Sequence, residues 1–169
     1  LAIRELSSQG DFGLKDILGV SPQMRGVRRQ VKSAAQAKAS ILIVGELGTG
    51  KSLTARVIHS ISDLQDGPLI VFNCAALPHE MIIPELQGTL PKSSKHGKSH
   101  VSKFELANGG MLYFQDIDLL PLEGQEILLR YLKTGTIQQP SSNHRSEVQV
   151  RILAATCGSL ENLVREGKF

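Results

Sequence analysis

The segment Gly45-Glu46-Leu47-Gly48-Thr49-Gly50-Lys51-Ser52 fits the pattern G-x-x-x-x-G-K-[ST], and its flanks restrict the fold more than any other stretch of the 169 residues. Before it stands the continuous apolar run Ile41-Leu42-Ile43-Val44; after it Leu53, Val57, Ile58 and Ile61 recur at helical spacing. A short apolar run ending in glycine reads as a strand buried on both faces, and the 3.6-residue period reads as an amphipathic helix. Strand, glycine turn and helix are the context in which the pattern acquires a physical meaning. Glycines let successive backbone N–H groups turn inward around phosphate oxygens, and the helix that follows presents its positive end to them. Lys51 is expected to neutralise the outer phosphates, and Ser52 to offer its hydroxyl to Mg²⁺. Gly45, Glu46, Leu47, Gly48, Thr49, Gly50, Lys51 and Ser52 together form an expected cradle for a nucleoside triphosphate.

The rest of the chain supplies matching elements. Ser21-Pro22 starts a helix with Pro at its first position, and Met24, Val27, Val31 and Ala34-Ala35 mark one face as far as the approach to Ser40. Further strands are predicted at Leu69–Phe72, Met111–Phe114 and Val148–Ala154, with a helix over Gln125–Lys133 whose apolar side carries Ile127, Leu128, Tyr131 and Leu132. Strands alternating with helices imply a parallel sheet covered by helices, an α/β sandwich. Residues 1–16 show little apolar periodicity and read as a linker, with the folded part starting near Ile17. Residues 92–103, with four Lys, two His and no acid, read as a solvated, mobile insertion, with contact to DNA phosphates or an acidic polymerase surface as the rival reading.

Composition removes several classes. With 41% hydrophobic and 21% charged residues the chain is neither disordered nor collagen-like. No apolar run approaches membrane-helix length and the N-terminus lacks a signal-peptide pattern, so a soluble, cytoplasmic protein without membrane contact is expected. Cys74 and Cys157 stand apart without metal-ligand spacing; neither a disulfide nor a zinc site is expected. A net charge of +3 permits an anionic partner without demanding one, and 4% aromatics with no Trp argue against a base-stacking surface. The start at Leu1 and the stop at Phe169 within charged, helix-like sequence lead us to expect a piece of a longer protein.

Hydrolysis at a phosphate cradle of this kind asks for an Asp at the tip of a neighbouring strand, which holds Mg²⁺, and an adjacent acid that orients water. The strand Met111–Phe114 ends in Gln115-Asp116. Spacing alone allows two alignments, one making Asp116 the metal-side acid and the other placing uncharged Gln115 there.

Five further segments stand in the same register as the cradle. They are Ile17-Leu18-Gly19-Val20-Ser21-Pro22, Phe72-Asn73-Cys74-Ala75-Ala76-Leu77-Pro78, Phe104-Glu105-Leu106-Ala107-Asn108-Gly109-Gly110, Leu128-Leu129-Arg130-Tyr131-Leu132 and Val150-Arg151-Ile152-Leu153-Ala154-Ala155-Thr156. With these the chain resembles, over about residues 17–169, the central AAA+ domain of bacterial sigma-54 activators, the enhancer-binding transcription regulators. The resemblance implies a P-loop AAA+ α/β sandwich with a parallel sheet, ATP or ADP with Mg²⁺ at subunit interfaces, and a ring-type homo-oligomer. It implies RNA polymerase holoenzyme as a partner, a signal-receiving domain before the segment and a helix-turn-helix DNA-binding domain after it, outside this chain. It further implies that Ile17 and Gly19 line the adenine pocket, that Arg130 stands near the site, and that Thr156 and Cys157 occupy the sensor position. In this register the interface arginines and the helical lid lie beyond Phe169, leaving residues 17–169 as the α/β subdomain.

Three departures from the family follow from the same register. Gly109-Gly110 and four mostly apolar residues place Gln115 at the Walker B Asp and Asp116 at the Glu, so the metal-side carboxylate is missing. Asp116 remains the candidate for catalysis and, with Ser52, for Mg²⁺. Glu85-Leu86-Gln87-Gly88 leads into Thr89-Leu90-Pro91 and the Lys/Ser/His stretch, without the aromatic tip by which the family contacts sigma-54. The family's Thr-Asn becomes Thr156-Cys157, with Cys157 expected as a small buried residue at a strand end. The combined expectation is an ATP-binding, oligomerising module with weak or no hydrolysis and no sigma-54 remodelling. Its polymerase partner is then not sigma-54 dependent. Two alternatives stand beside it: a working Mg²⁺-dependent ATPase that drives transcription activation, and a cyclic di-GMP sensor using Lys15 at the N-terminal edge.

Overall fold

A computed structural model describes residues 12–89, 100–138 and 145–169. The first helix, α1 (Pro22–Gln36), starts where Ser21 accepts the Met24 N–H at 3.2 Å and Pro22 needs no donor, and it leads into β1 (Ile41–Val44). The chain continues through α2 (Lys51–Ser60), β2 (Leu69–Asn73), α3 (His79–Gln87), α4 (Lys103–Leu106) and β3 (Met111–Gln115). It ends with α5 (Leu122–Thr134), a hairpin of β4 (Thr136–Gln138) and β5 (Arg145–Glu147), then β6 (Arg151–Thr156) and α6 (Leu160–Arg165). The main sheet runs β1-β6-β3-β2 with every pairing parallel, as the alternation of elements predicts.

Helices α1 and α2 cover one face of the sheet, where Val31, Ala35, Ala55, Val57 and Ile58 meet Met111, Tyr113, Leu153 and Ala155. On the other face α3, α4 and α5 contribute Ile82, Leu86, Phe104, Ile127, Leu128 and Tyr131, packed on Phe72, Leu112, Phe114 and Ile152. Phe104 is fully buried, its ring centroid 4.6 Å from Tyr131 and 6.4 Å from Phe114. Arg151 is the buried cation of the first layer. Its guanidinium donates to the carbonyls of Ala34, Ala35 and Ala39, so the end of α1 is tied to the start of β6 and the charge is not left unpaired.

Several expectations need correction. The Ile41–Val44 run is not buried on both faces: Leu42 is 47% and Val44 64% exposed, because β1 is an edge strand and the second helical layer stops short of it. On α5, Ile127, Leu128 and Tyr131 face the core but Leu132 points outward at 52% exposure. The last sheet strand starts at Arg151, three residues later than expected. Val148 and Val150 bond elsewhere, their N–H groups reaching the Gly135 carbonyl and the Tyr131 hydroxyl. Phe12 and Leu14 already pack against the first core layer, and Leu14–Asp16 forms a 3-10 turn, so ordered chain begins ahead of Ile17.

The basic segment divides. Its residues 92–99 lie outside the described residues; His100 pairs with Thr89 in an antiparallel bridge, and Ser102, fully buried, caps α4 reciprocally with Glu105. His100 and Lys103 both reach the Glu85 carboxylate, at 3.2 and 3.4 Å, so the end of this segment is built structure, not solvated insertion. Among the described residues no helix is long and apolar enough to cross a membrane.

Candidate nucleotide site

All four strands of the parallel sheet end on one edge, and the loop, the strand-tip residues and the sensor pair gather there. β1 delivers the Gly45–Ser52 loop, β6 delivers Thr156 and Cys157, and β3 delivers Gln115 and Asp116, each beside its neighbour in the strand order. Ligands of open α/β sheets bind at such carboxyl ends. Gly48 (φ +80°) and Gly50 (φ +87°) hold left-handed backbone with open space where a Cβ would stand, so glycine is required there for conformation and not for room. Thr49 closes the loop by donating its hydroxyl to the Glu46 carbonyl at 2.8 Å, and the Gly45 N–H is held by the Thr156 carbonyl at 3.2 Å. Leu47 is exposed at the tip. No side chain caps the first turn of α2, which leaves its N-terminal N–H groups available to an anion.

Lys51 Nζ donates to the carbonyls of Gly45 (2.8 Å) and Glu46 (3.0 Å) and to Cys157 Sγ (3.0 Å). The Cys157 contact first, and then the charge of Asp116, holds Lys51 above its ordinary pKa, so it is cationic at neutral pH. Cys157 is exposed, which corrects the expectation of a buried residue: β6 ends at Thr156, and the next side chain already stands in the mouth of the loop. Thr156 is fully buried, its hydroxyl accepting the Gly158 N–H at 3.0 Å. Cys74 is the buried thiol; burial, then Asp116 and Asp118, pushes it up to about 12, which leaves it uncharged and unreactive.

Asp116 is the sole non-glycine among the described residues with positive φ (+53°), a conformation that aspartate tolerates better than most. The turn ends β3 and leaves the half-buried carboxylate within electrostatic reach of Lys51 and Tyr113. Gln115 ends the strand opposite Asn73 and carries no charge. The polyphosphate of a nucleotide suits this cradle: an α2 N-terminus that no side chain caps, glycine backbone and a cationic lysine. A divalent metal is less well provided for: of the two residues at the tip of β3, Gln115 carries no charge and Asp116 stands in a left-handed turn. Among the described residues no group of three or more His, Cys, Asp or Glu side chains is placed to hold a metal ion.

Two contributors escape a reading of the sequence. Tyr113, on β3, places its hydroxyl 3.3 Å from Ser52 Oγ; a phenol among the apolar residues before Gln115-Asp116 was the available signal. Arg28, on α1, donates to the carbonyls of Ile17 (2.9 Å) and Gly19 (2.7 Å) and fixes the segment expected to hold the base. Leu14, Lys15, Ile17, Leu18, Gly19 and Arg28 line a cleft of about 410 Å³, within the range of small-molecule sites. Ile17 is itself buried against α1 and α2, whereas Gly19 lies exposed at the cleft. Arg130 is exposed on α5, on the layer opposite α2, and no contact brings it to the loop.

Sheet order, loop and helix together define a P-loop α/β domain. Residues 17–169 match the family described as the Sigma-54 interaction domain, and the chain belongs to that family. It is 38% identical over 167 residues to the luminescence regulatory protein LuxO of Vibrio campbellii, an alignment covering 98% of this chain and 37% of that protein. It is 39% identical over 165 residues to the anaerobic nitric oxide reductase transcription regulator NorR of Aeromonas salmonicida, covering 96% and 32%. The chain thus spans about a third of the length of these relatives. Among solved structures, NtrX from Brucella abortus in complex with ATP superposes with a TM-score of 0.82 at 33% identity, over 90% of this chain and 33% of that one. NtrX has also been solved with ADP.

Proposed function

We propose that this domain binds ATP or ADP and assembles with copies of itself as the central module of a bacterial, cytoplasmic transcription regulator, with little or no hydrolysis and without remodelling sigma-54 polymerase. One observation carries the reading: a complete phosphate loop stands beside a strand tip that offers Gln115 where hydrolysis needs a carboxylate. The loop supports binding, since the uncapped start of α2 and the Lys51 cation both suit a phosphate, and losing a charged group that orients a catalytic ion costs turnover far more than it costs phosphate contacts. The relatives LuxO and NorR, regulators by name, and the ATP and ADP complexes of NtrX support the same reading. Polymerase and promoter DNA, the latter through a C-terminal domain, are the partners it implies. Titration of the purified protein with ATP and ADP, followed by fluorescence and by light scattering, tests it. Saturable binding with a rise in assembled mass is expected; no binding, or an unchanged mass at saturation, contradicts it.

A second reading has its own observation. Lys15 and Arg28 share the cleft beside Gly19, and Arg25, Arg29 and Lys32 extend it along α1 into a basic groove of about 560 Å³ with Leu14 and Pro22 as its apolar part. Cations around an apolar floor suit a nucleotide second messenger such as cyclic di-GMP. On this reading calorimetry with cyclic di-GMP gives saturable heat that falls about tenfold in affinity on Arg29→Ala, the loss of one charge-assisted contact. Absence of heat at micromolar protein removes it.

A further inference from the structure

We infer that Tyr113 takes the place of a divalent metal at Ser52: its hydroxyl donates to Ser52 Oγ and turns the Ser52 proton toward the bound phosphate, so that nucleotide is held without a metal ion. The inference deepens the nucleotide-binding reading and rests on it. In a phosphate loop of this kind the serine gives a lone pair to the ion. Here the two hydroxyl oxygens lie 3.3 Å apart, and the phenol is much the stronger acid, so it is the natural donor. Ser52 then keeps its own proton for an acceptor, and the acceptor that the cradle presents is a phosphate oxygen.

The surroundings fit a hydroxyl relay better than an ion. Tyr113 is 2% exposed in the centre of the sheet, between Met111 and Leu153, so its ring cannot swing away from Ser52 without opening the core. Burial raises its pKa, and it remains a protonated donor at neutral pH. Lys51, held by Gly45, Glu46 and Cys157, already brings a positive charge to the place, and the strand end that normally offsets an ion's charge carries Gln115. Among the described residues, the charged groups that act on Tyr113 are Asp116 and Lys51, of opposite sign. Gln115 leaves one carboxylate fewer at the strand tip to orient the water ligands of a divalent cation, whereas the phenol reaches Ser52 directly.

The test is the affinity of the purified protein for ADP, measured by fluorescence titration in excess chelator and in excess Mg²⁺, for the natural sequence, Tyr113→Phe, Ser52→Ala and the double variant. The natural protein is expected to bind ADP within about threefold of the same affinity in both buffers. Tyr113→Phe, which removes one oxygen and keeps the ring, should bind about tenfold more weakly in chelator. Ser52→Ala should lose as much, and the double variant no more than either single one, since the two act as a unit. A tenfold or larger loss for the natural protein on removing Mg²⁺, or an unchanged Tyr113→Phe in chelator, overturns the relay while leaving nucleotide binding in place. No binding in either buffer overturns the nucleotide reading itself and the relay with it. Circular dichroism of each variant separates these outcomes from a failure to fold, and Ser52→Ala, at a half-buried loop edge, carries the test if Tyr113→Phe fails.

Discussion

Lys51→Ala is expected to lower the affinity for ATP and ADP by about a hundredfold, the loss of a charge-assisted contact to the outer phosphates together with the charge itself. The reasoning starts from position. Lys51 opens α2 directly after the left-handed Gly50, and its ammonium is drawn back over the loop by the carbonyls of Gly45 and Glu46. All three ammonium donors are engaged, by these carbonyls and Cys157 Sγ, so an incoming phosphate takes over at least one of them as its own charge-assisted bond. The carbonyls that the variant would strand lie at the loop surface, Glu46 exposed and Gly45 half-buried, where water replaces the ammonium. Thermal denaturation should therefore be nearly unchanged while binding collapses. The sign with pH follows from the raised pKa: the Lys51 charge is present throughout the neutral range and is lost only as pH rises past the ordinary lysine value, so affinity should not fall between pH 6 and 9 on its account. A variant that binds within threefold of the natural protein would show that the loop does not carry the ligand.

Phe104→Ala should cost about 3–5 kcal/mol of folding stability, the range for truncating a fully buried aromatic side chain. That is a large share of the roughly 5–15 kcal/mol available to a domain. Phe104 is wholly enclosed between Tyr131 of α5 and Phe114 of β3, so the void left behind cannot collapse without moving the whole second layer. Urea denaturation checks it: the midpoint should drop with the slope unchanged, and Phe104→Leu should lose about a third as much. A loss under about 1 kcal/mol would mean that this face of the sheet is not close-packed.

What could be read from the chain was what is local. The phosphate loop, its strand and its helix are adjacent in sequence, and each part is specified by residue types with a direct physical reason, so Gly45–Ser52 lands where the pattern puts it. The buried centre strand Met111–Phe114 and the helix carrying Ile127, Leu128 and Tyr131 were legible for the same reason. What escaped depends on distant partners. Lys51 meets Cys157 across 106 positions and Ser52 meets Tyr113 across 61, and no periodicity encodes either contact. An apolar run cannot say whether its strand is central or at an edge, which is why Leu42 and Val44 surprise. Helix α3 went unseen because Pro84 stands inside it; a proline costs one helical hydrogen bond, and packing of Ile82 and Leu86 outweighs that loss.

The central claim is that phosphate binding has been kept while hydrolysis has been given up at the tip of β3, and restoring the carboxylates tests it most directly. ATP turnover should be measured in Mg²⁺ buffer, at a protein concentration where the assembly is complete, for the natural sequence, for Gln115→Asp combined with Asp116→Glu, and for Asp116→Ala. The account predicts near-background turnover for the natural protein and for Asp116→Ala, with a gain of about 10–100-fold in the double variant, the range by which groups supporting a metal site alter activity. Brisk turnover by the natural protein, abolished in Asp116→Ala and not raised by the double substitution, would contradict it.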